Sequence, residues 1–184
     1  MIDIKTLSKE LKKLPDDYII LVETSSDNIF EVTLAIVKLL TNKNDHGIIV
    51  SANRPYINLL NTYKRSNINT SKLFVVDLLS KNQNADKDVD NVIFIENPSS
   101  LTDISLSINK LIKKLNNRKF VFFDSLTTML IHNEPYVFAR FIHSILTRMR
   151  LNNVGGVMIS ITDTANKEIR SEIAQLCDKV IKIT

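Results

Sequence analysis

The feature that most constrains this chain is a series of short, predominantly apolar runs separated by segments of helical periodicity. The runs are Tyr18–Val22 (YIILV), Ile48–Ala52 (IIVSA), Leu73–Val76, Val92–Ile95, Phe120–Phe123, Val157–Ile161 and Val180–Ile183. A strand that faces water on one side alternates apolar with polar residues, so runs apolar at every position predict strands covered on both faces. Between them lie predicted helices: an amphipathic N-terminal one with Ile4, Leu7, Leu11 and Leu14 at helical spacing, then Asn28–Leu40, Tyr56–Arg65, Leu101–Leu115, Pro135–Leu151 and Lys167–Leu176. Pro15-Asp16-Asp17 ends the first, and Pro55 sits where a missing N–H is harmless. In Pro135–Leu151 the residues Val137, Phe138, Phe141, Ile142, Ile145, Leu146 and Met149 form one stripe. Strand and helix in alternation predict an α/β fold, a largely parallel central sheet with helices on both faces and right-handed crossovers.

At 184 residues, one domain with one core is expected over 1–184, with an N-terminal helix in 1–16 and an exposed polar loop over 80–91 (SKNQNADKDVD at its centre). The chain has only three glycines, Gly47, Gly155 and Gly156. Average usage of ~7% would give about thirteen. Neither G-x-G-x-x-G nor G-x-x-x-x-G-K-[ST] is possible with these positions, so every glycine-rich phosphate loop is excluded. The single Cys177 excludes an internal disulfide and a cysteine-based zinc site, and suits a reducing cytoplasm. No apolar run approaches the ~20 residues of a membrane span, so no membrane partner is expected. A net charge of +4 permits an acidic partner without requiring one.

Three segments, taken together, resemble the RecA/KaiC-like ATPases. KFVFFDSLTTML (Lys119–Leu130) resembles their Walker B strand, a hydrophobic strand ending in Asp-Ser and followed by a leucine; RMRLNNVGGVMISIT (Arg148–Thr162) and EIAQLCDKVIKI (Glu172–Ile183) are similar to the segments that follow it. IENPSSLTDISLSINKLI (Ile95–Ile112) resembles the stretch before Walker B in archaeal KaiC/Rad55-like proteins. The likeness covers residues 17–184 and implies a RecA-like P-loop NTPase fold, archaeal regulation or signalling in the cytoplasm, and self-association or pairing with an active relative. The departure is in the loop. Where the family has a glycine-rich P-loop ending in Gly-Lys-Thr, this chain reads TSSDNIFEV, which puts Phe30, Glu31 and Val32 on those positions. Phenylalanine obstructs the close approach, glutamate repels a polyphosphate, and valine cannot ligate Mg²⁺. After the second strand, where KaiC-like members carry catalytic glutamates, Asn53-Arg54 stands instead.

The expectation is therefore a protein-interaction module with a degenerate nucleotide site at Ser25, Ser26, Asp27, Asn28, Phe30, Glu31, Val32, Asp124 and Ser125, no catalytic residue, no cofactor and no metal. Asp124-Ser125 as a residual Mg²⁺ site is weighed against the plainer reading that Asp124 caps a turn and hydrogen-bonds the old loop. Glu31 as a new acid is weighed against an exposed residue near a favourable helix dipole, and the serines read as helix caps. His46, His132 and His143 lack the spacing of a helical metal pair. A protein partner or a second copy is expected on the face around Asp27, Arg54 and Tyr56, an Arg-Tyr combination typical of interface hot spots. Two competing readings remain open: a divergent ATP-binding protein or ATPase using Asp124, and a DNA-repair accessory protein whose basic cluster Lys110, Lys113, Lys114, Arg118 and Lys119, with Arg140, Arg148 and Arg150, meets nucleic acid. That cluster has no interleaved aromatics, and a solvated helix face is preferred.

Overall fold

The computed structural model describes residues 4–13, 15–43, 45–81, 89–162 and 166–183. Leu14 and most of the predicted polar loop, residues 82–88, lie outside them. The elements run α1 (Ile4–Lys12), β1 (Ile19–Thr24), α2 (Ile29–Thr41), β2 (His46–Ser51), α3 (Tyr56–Arg65), β3 (Leu73–Asp77), β4 (Val92–Phe94), α4 (Leu101–Lys114), β5 (Lys119–Asp124), α5 (Leu126–Ile131), α6 (Pro135–Leu151), β6 (Gly155–Ile161), α7 (Lys167–Gln175) and β7 (Lys179–Ile183). Each of the apolar runs is a strand. The short helix α5 was not anticipated: its six residues are too few to show a helical period.

The strands form one seven-stranded sheet in the order β4-β3-β2-β5-β6-β1-β7, and every neighbouring pair is parallel. Because side chains alternate along a strand, each run feeds two cores. Phe120 and Phe122 pack with Leu7, Leu11, Val32, Ile36, Leu40, Leu59 and Tyr63 under α1, α2 and α3. Val121 and Phe123 pack on the other face with Ile104, Ile108, Phe138, Ile142, Met149 and Ile173 under α4 to α7. The strand Phe120–Phe123 is wholly buried, as its composition requires, and stands fourth among the seven strands.

The glycines stand at the start of strands. A methyl on Gly47 would meet Leu73 and Phe120 at 2.6 Å, and one on Gly156 would meet Met149 at 2.5 Å. None of them has a positive φ; that conformation is taken by Asn67, Asn91, Asn153 and Asn166. After α3 and after α6 the asparagine closes the helix as glycine usually does: Asn67 N–H donates to Lys64 O and Ile68 N–H to Tyr63 O, and Asn153 N–H to Arg150 O and Val154 N–H to Met149 O. The short polar side chain tolerates the left-handed region better than other non-glycine residues, which is how a glycine-poor chain ends its helices.

The connection after β2 leads to β3 on one side, while that after β5 leads to β6 on the other. The order therefore reverses between β2 and β5, whose carboxyl ends are level, with Ser51 opposite Asp124. Open α/β sheets hold ligands in the crevice at such a switch point.

Candidate functional site

Asp124 ends β5 at this crevice and is buried. Its backbone carbonyl accepts from Ala52 N–H at 2.8 Å, and Asn53 Nδ2 donates to its Oδ1 at 3.0 Å. Asn53 also accepts from the Thr128 hydroxyl, so one side chain from the β2–α3 connection joins β5 to α5. The partner of Asp124 is thus the loop after β2, not the loop after β1; this corrects the expectation that it bonds the old phosphate loop. Capping falls to the next residue. Ser125 is fully buried, is the N-cap of α5 and accepts from Thr128 N–H at 3.4 Å; the Asp124–Ser125 peptide bond is cis. Thr127 accepts from Ile161 N–H at 2.9 Å and ties α5 to β6.

Burial raises the Asp124 carboxyl above its ordinary value, against the opposing pull of the Asn53 hydrogen bond and the Arg54 charge. Beside it, Tyr63 of α3 is buried, and its phenol oxygen has no hydrogen-bond partner among the described residues. Desolvation, with Asp124 nearby, pushes that phenol well above its usual pKa, so it stays neutral.

These residues line a cavity of about 450 Å³ between α2 and α3. Ile29, Phe30, Thr33 and Leu34 of α2 form one wall, and Asn58, Leu59, Thr62 and Tyr63 of α3 the other. Asn53, Arg54, Asp124, Ser125 and Thr128 form the polar end. Arg54 lies over the Phe30 ring, its guanidinium carbon 4.5 Å from the centroid, a cation–π geometry.

The β1–α2 connection is a turn of four residues, Ser25 to Asn28. Ser25 O accepts from Asn28 N–H at 3.2 Å and from Ile29 N–H at 3.1 Å, and Asn28 O accepts from Val32 N–H. Ser26 and Asp27 are exposed, and Ser25 is half-buried. No side chain caps α2: its N-cap Asn28 makes no such bond, which corrects the reading of Ser25 and Ser26 as caps. Ser100 likewise makes no cap bond to α4; Asn97 Oδ1 instead gathers Ser99 and Ser100. Glu31 is exposed in the first turn of α2, and Val32 is buried in the core.

The structure therefore joins Phe30 with Arg54, and Asp124 with Ser125, in one cavity, and turns Val32 away from it. Tyr56 lies elsewhere: its N–H donates to Asp77 Oδ2 and its ring packs edge-on against Phe94 at 5.7 Å. Sequence reasoning missed Thr33, Thr62, Tyr63 and Thr128. Tyr63 follows Leu59 by one helical turn on the buried side of α3, a spacing that marks the inner wall.

Among the described residues no group of three His, Cys, Asp or Glu is placed to hold a metal. His46 stands at the start of β2, while His132 and His143 are exposed beside α5 and on α6. Three of the basic residues are engaged within the protein. Arg118 pairs with Asp16 and Asp45, Arg150 pairs with Asp178, and Arg148 donates to Ser105. No helix among the described residues is long and apolar enough to cross a membrane.

The fold is that of RecA/KaiC-like proteins. The KaiC-like protein PH0186 of Pyrococcus horikoshii superposes with a TM-score of 0.65 at 12% identity, over 92% of this chain and 72% of that one. Protein PH0321 of the same organism, uncharacterised and crystallised in complex with an unknown peptide, superposes with a TM-score of 0.66 at 13% identity, over 98% of this chain and 82% of that one. The sequence matches no curated protein. Residues 21–183, from within the first strand to the end of the last, match the family of unknown function DUF7504, and the chain belongs to that family.

Proposed function

We propose that this chain is a RecA/KaiC-like domain that does not hydrolyse nucleotide and acts as a protein-interaction module in regulation or signalling. The observation that carries this reading is the four-residue β1–α2 turn. A phosphate-binding loop needs several backbone N–H groups open toward the anion, with a lysine and a hydroxyl behind them. Here the amides of Asn28 and Ile29 are engaged by Ser25 O, Phe30 and exposed Glu31 occupy the first turn of α2, and Val32 is packed in the core. This donor set does not fit a Mg²⁺-polyphosphate. Asp124 remains, but a lone buried carboxylate without that anion is a poor Mg²⁺ site.

The interaction face in this reading is the exposed surface around Asp27, Phe30 and Arg54, with Tyr56 at its edge and a protein or a second copy of this chain as partner. Phe30 is 41% exposed and carries the Arg54 guanidinium over its ring, an aromatic–arginine pair of the kind enriched at interface hot spots. That PH0321 was crystallised with a peptide supports the same reading.

Calorimetric titration with Mg-ATP is expected to give no saturable heat, and hydrolysis of ATP or GTP no rate above a blank. Turnover that disappears in Asp124→Ala would overturn the reading and favour the divergent ATPase. Glu31→Lys alone is expected not to create tight ATP binding, because Phe30 and the short turn still obstruct the phosphates. The face is tested by sedimentation and pull-down with an Arg54→Glu, Tyr56→Ala double variant. Undiminished association there, combined with loss on changing Lys110 to Lys119, moves the interface to the basic side. A salt-dependent shift of labelled single strands would point to nucleic acid instead.

A further inference from the structure

The cavity between α2 and α3 holds two opposite charges that do not meet. Asp124 and Arg54 both line it, and Arg54 is close enough to lower the carboxyl's pKa, yet no nitrogen–oxygen approach between them falls within ion-pair distance. Each also lacks another charged partner among the described residues. Asp124 Oδ1 accepts from Asn53, while Oδ2 accepts from no described residue. The Arg54 guanidinium has the Phe30 ring on one face and donates to no described acceptor. The rest of the wall is mixed: Ile29, Phe30, Leu34, Leu59 and Ile161 form an apolar stretch beside Thr33, Asn58 and Thr62. A volume of about 450 Å³ lies within the range of small-molecule sites.

Those three elements set the chemistry of an occupant. A simple anion leaves the buried carboxylate unpaired, and a simple cation faces the guanidinium; either arrangement leaves one charge uncompensated, which is costliest at buried Asp124. An inorganic ion leaves the apolar wall without contact. We propose that the cavity binds a small zwitterion with an apolar body, an α-amino acid of branched or aromatic side chain, its ammonium on Asp124 Oδ2, its carboxylate on Arg54 and its side chain between α2 and α3. This rests on the reading above that the crevice does not take a nucleotide polyphosphate. Occupancy also links the site to the interaction face, because Phe30 and Arg54 belong to both.

The test titrates the purified chain by calorimetry with leucine and phenylalanine. Two probes each lack one charge: leucinamide keeps the ammonium, and N-acetylleucine keeps the carboxylate. Saturable binding of leucine or phenylalanine is expected in the millimolar range or tighter, with each probe roughly tenfold weaker or worse, the usual loss for a charge-assisted hydrogen bond. Asp124→Asn keeps an oxygen for Asn53 to donate to and is expected to abolish discrimination against N-acetylleucine. Arg54→Gln, at a half-exposed position, is expected to abolish discrimination against leucinamide. Methyl NMR shifts of Leu34 and Leu59 locate the bound ligand without relying on either variant's fold. Silence to both amino acids, or leucinamide binding to the wild type as tightly as leucine, overturns the proposal. Mg-ATP titrated into the same sample separates the two readings: saturable ATP binding sinks the non-nucleotide reading, whereas silence to ATP and amino acids together sinks only this inference.

Discussion

The β5–α5 junction and the β1–α2 turn leave the same end of the same sheet beside one cavity, and they are built in opposite ways. At the first, every side chain is anchored: Asp124 by Asn53, Ser125 as the cap of α5, Thr127 on the backbone of β6. At the second, Ser26 and Asp27 are exposed, α2 has no side-chain cap, and the turn is held by backbone bonds to Ser25 O. The junction's identity is thus fixed by interactions that any substitution disturbs. The turn needs only a backbone conformation that many sequences adopt, so it is the part free to vary while the fold persists.

The largest contrast is in stability. Phe122→Ala, two residues before Asp124 in the buried run Phe120–Phe123, is expected to cost about 3–5 kcal/mol in denaturant unfolding. Phe30→Ala beside the turn, losing an exposed ring and one cation–π contact, is expected to cost less than about 1 kcal/mol. Equal losses would mean that the turn is as tightly specified as the strand.

Thr127→Val removes the hydroxyl that accepts from Ile161 N–H and is expected to cost roughly 1–2 kcal/mol, read from the thermal midpoint. Next comes the cap. Ser125→Ala is expected to cost about 0.5–1 kcal/mol, since its bond to Thr128 N–H is long. Ser26→Ala is expected to stay within about 0.5 kcal/mol of the wild type, as an exposed position without a role. A cost at Ser26 equal to that at Ser125 would break the comparison.

The subtlest difference is in pH dependence. Burial holds the Asp124 carboxyl above 3.8, so between the unfolded and folded pKa values the folded chain binds more protons and this group's contribution falls as pH rises. Asp124→Asn is expected to gain stability relative to the wild type as pH is raised from below that window to above it. Parallel stability profiles for the two proteins would show that the carboxylate is better solvated than its burial implies.

Much of the architecture was legible because apolar runs call for cover on both faces, which the five inner strands receive in one parallel sheet; the edge strands depart from this, β4 being half-buried and β7 exposing Lys179 and Lys182. Boundaries shifted by a residue or two where strands extend through His46, Lys119 or Lys179, whose aliphatic stems or rings lie at the rim of the sheet. The helix α5 was hidden because its six residues read as a continuation of the strand motif before it. At the site, Phe30, Asp124 and Ser125 were visible through their place in a motif-like order. Thr33, Thr62, Tyr63 and Thr128 were not, since they reach the cavity from helices whose pairing no local pattern encodes.

The sequence by itself determined the alternation of strand and helix, the absence of any glycine-rich loop and the burial of Phe120–Phe123, because these follow from composition and periodicity within single segments. Tertiary structure alone decided that Asp124 answers to Asn53 and not to the β1–α2 turn, that Arg54 stacks on Phe30, and that Tyr56 turns to Phe94. Strand order brings β2 and β5 side by side although 67 residues separate His46–Ser51 from Lys119–Asp124. Contacts across such a distance depend on which strand lies next to which, and that is settled by the joint packing of the helices on both faces of the sheet.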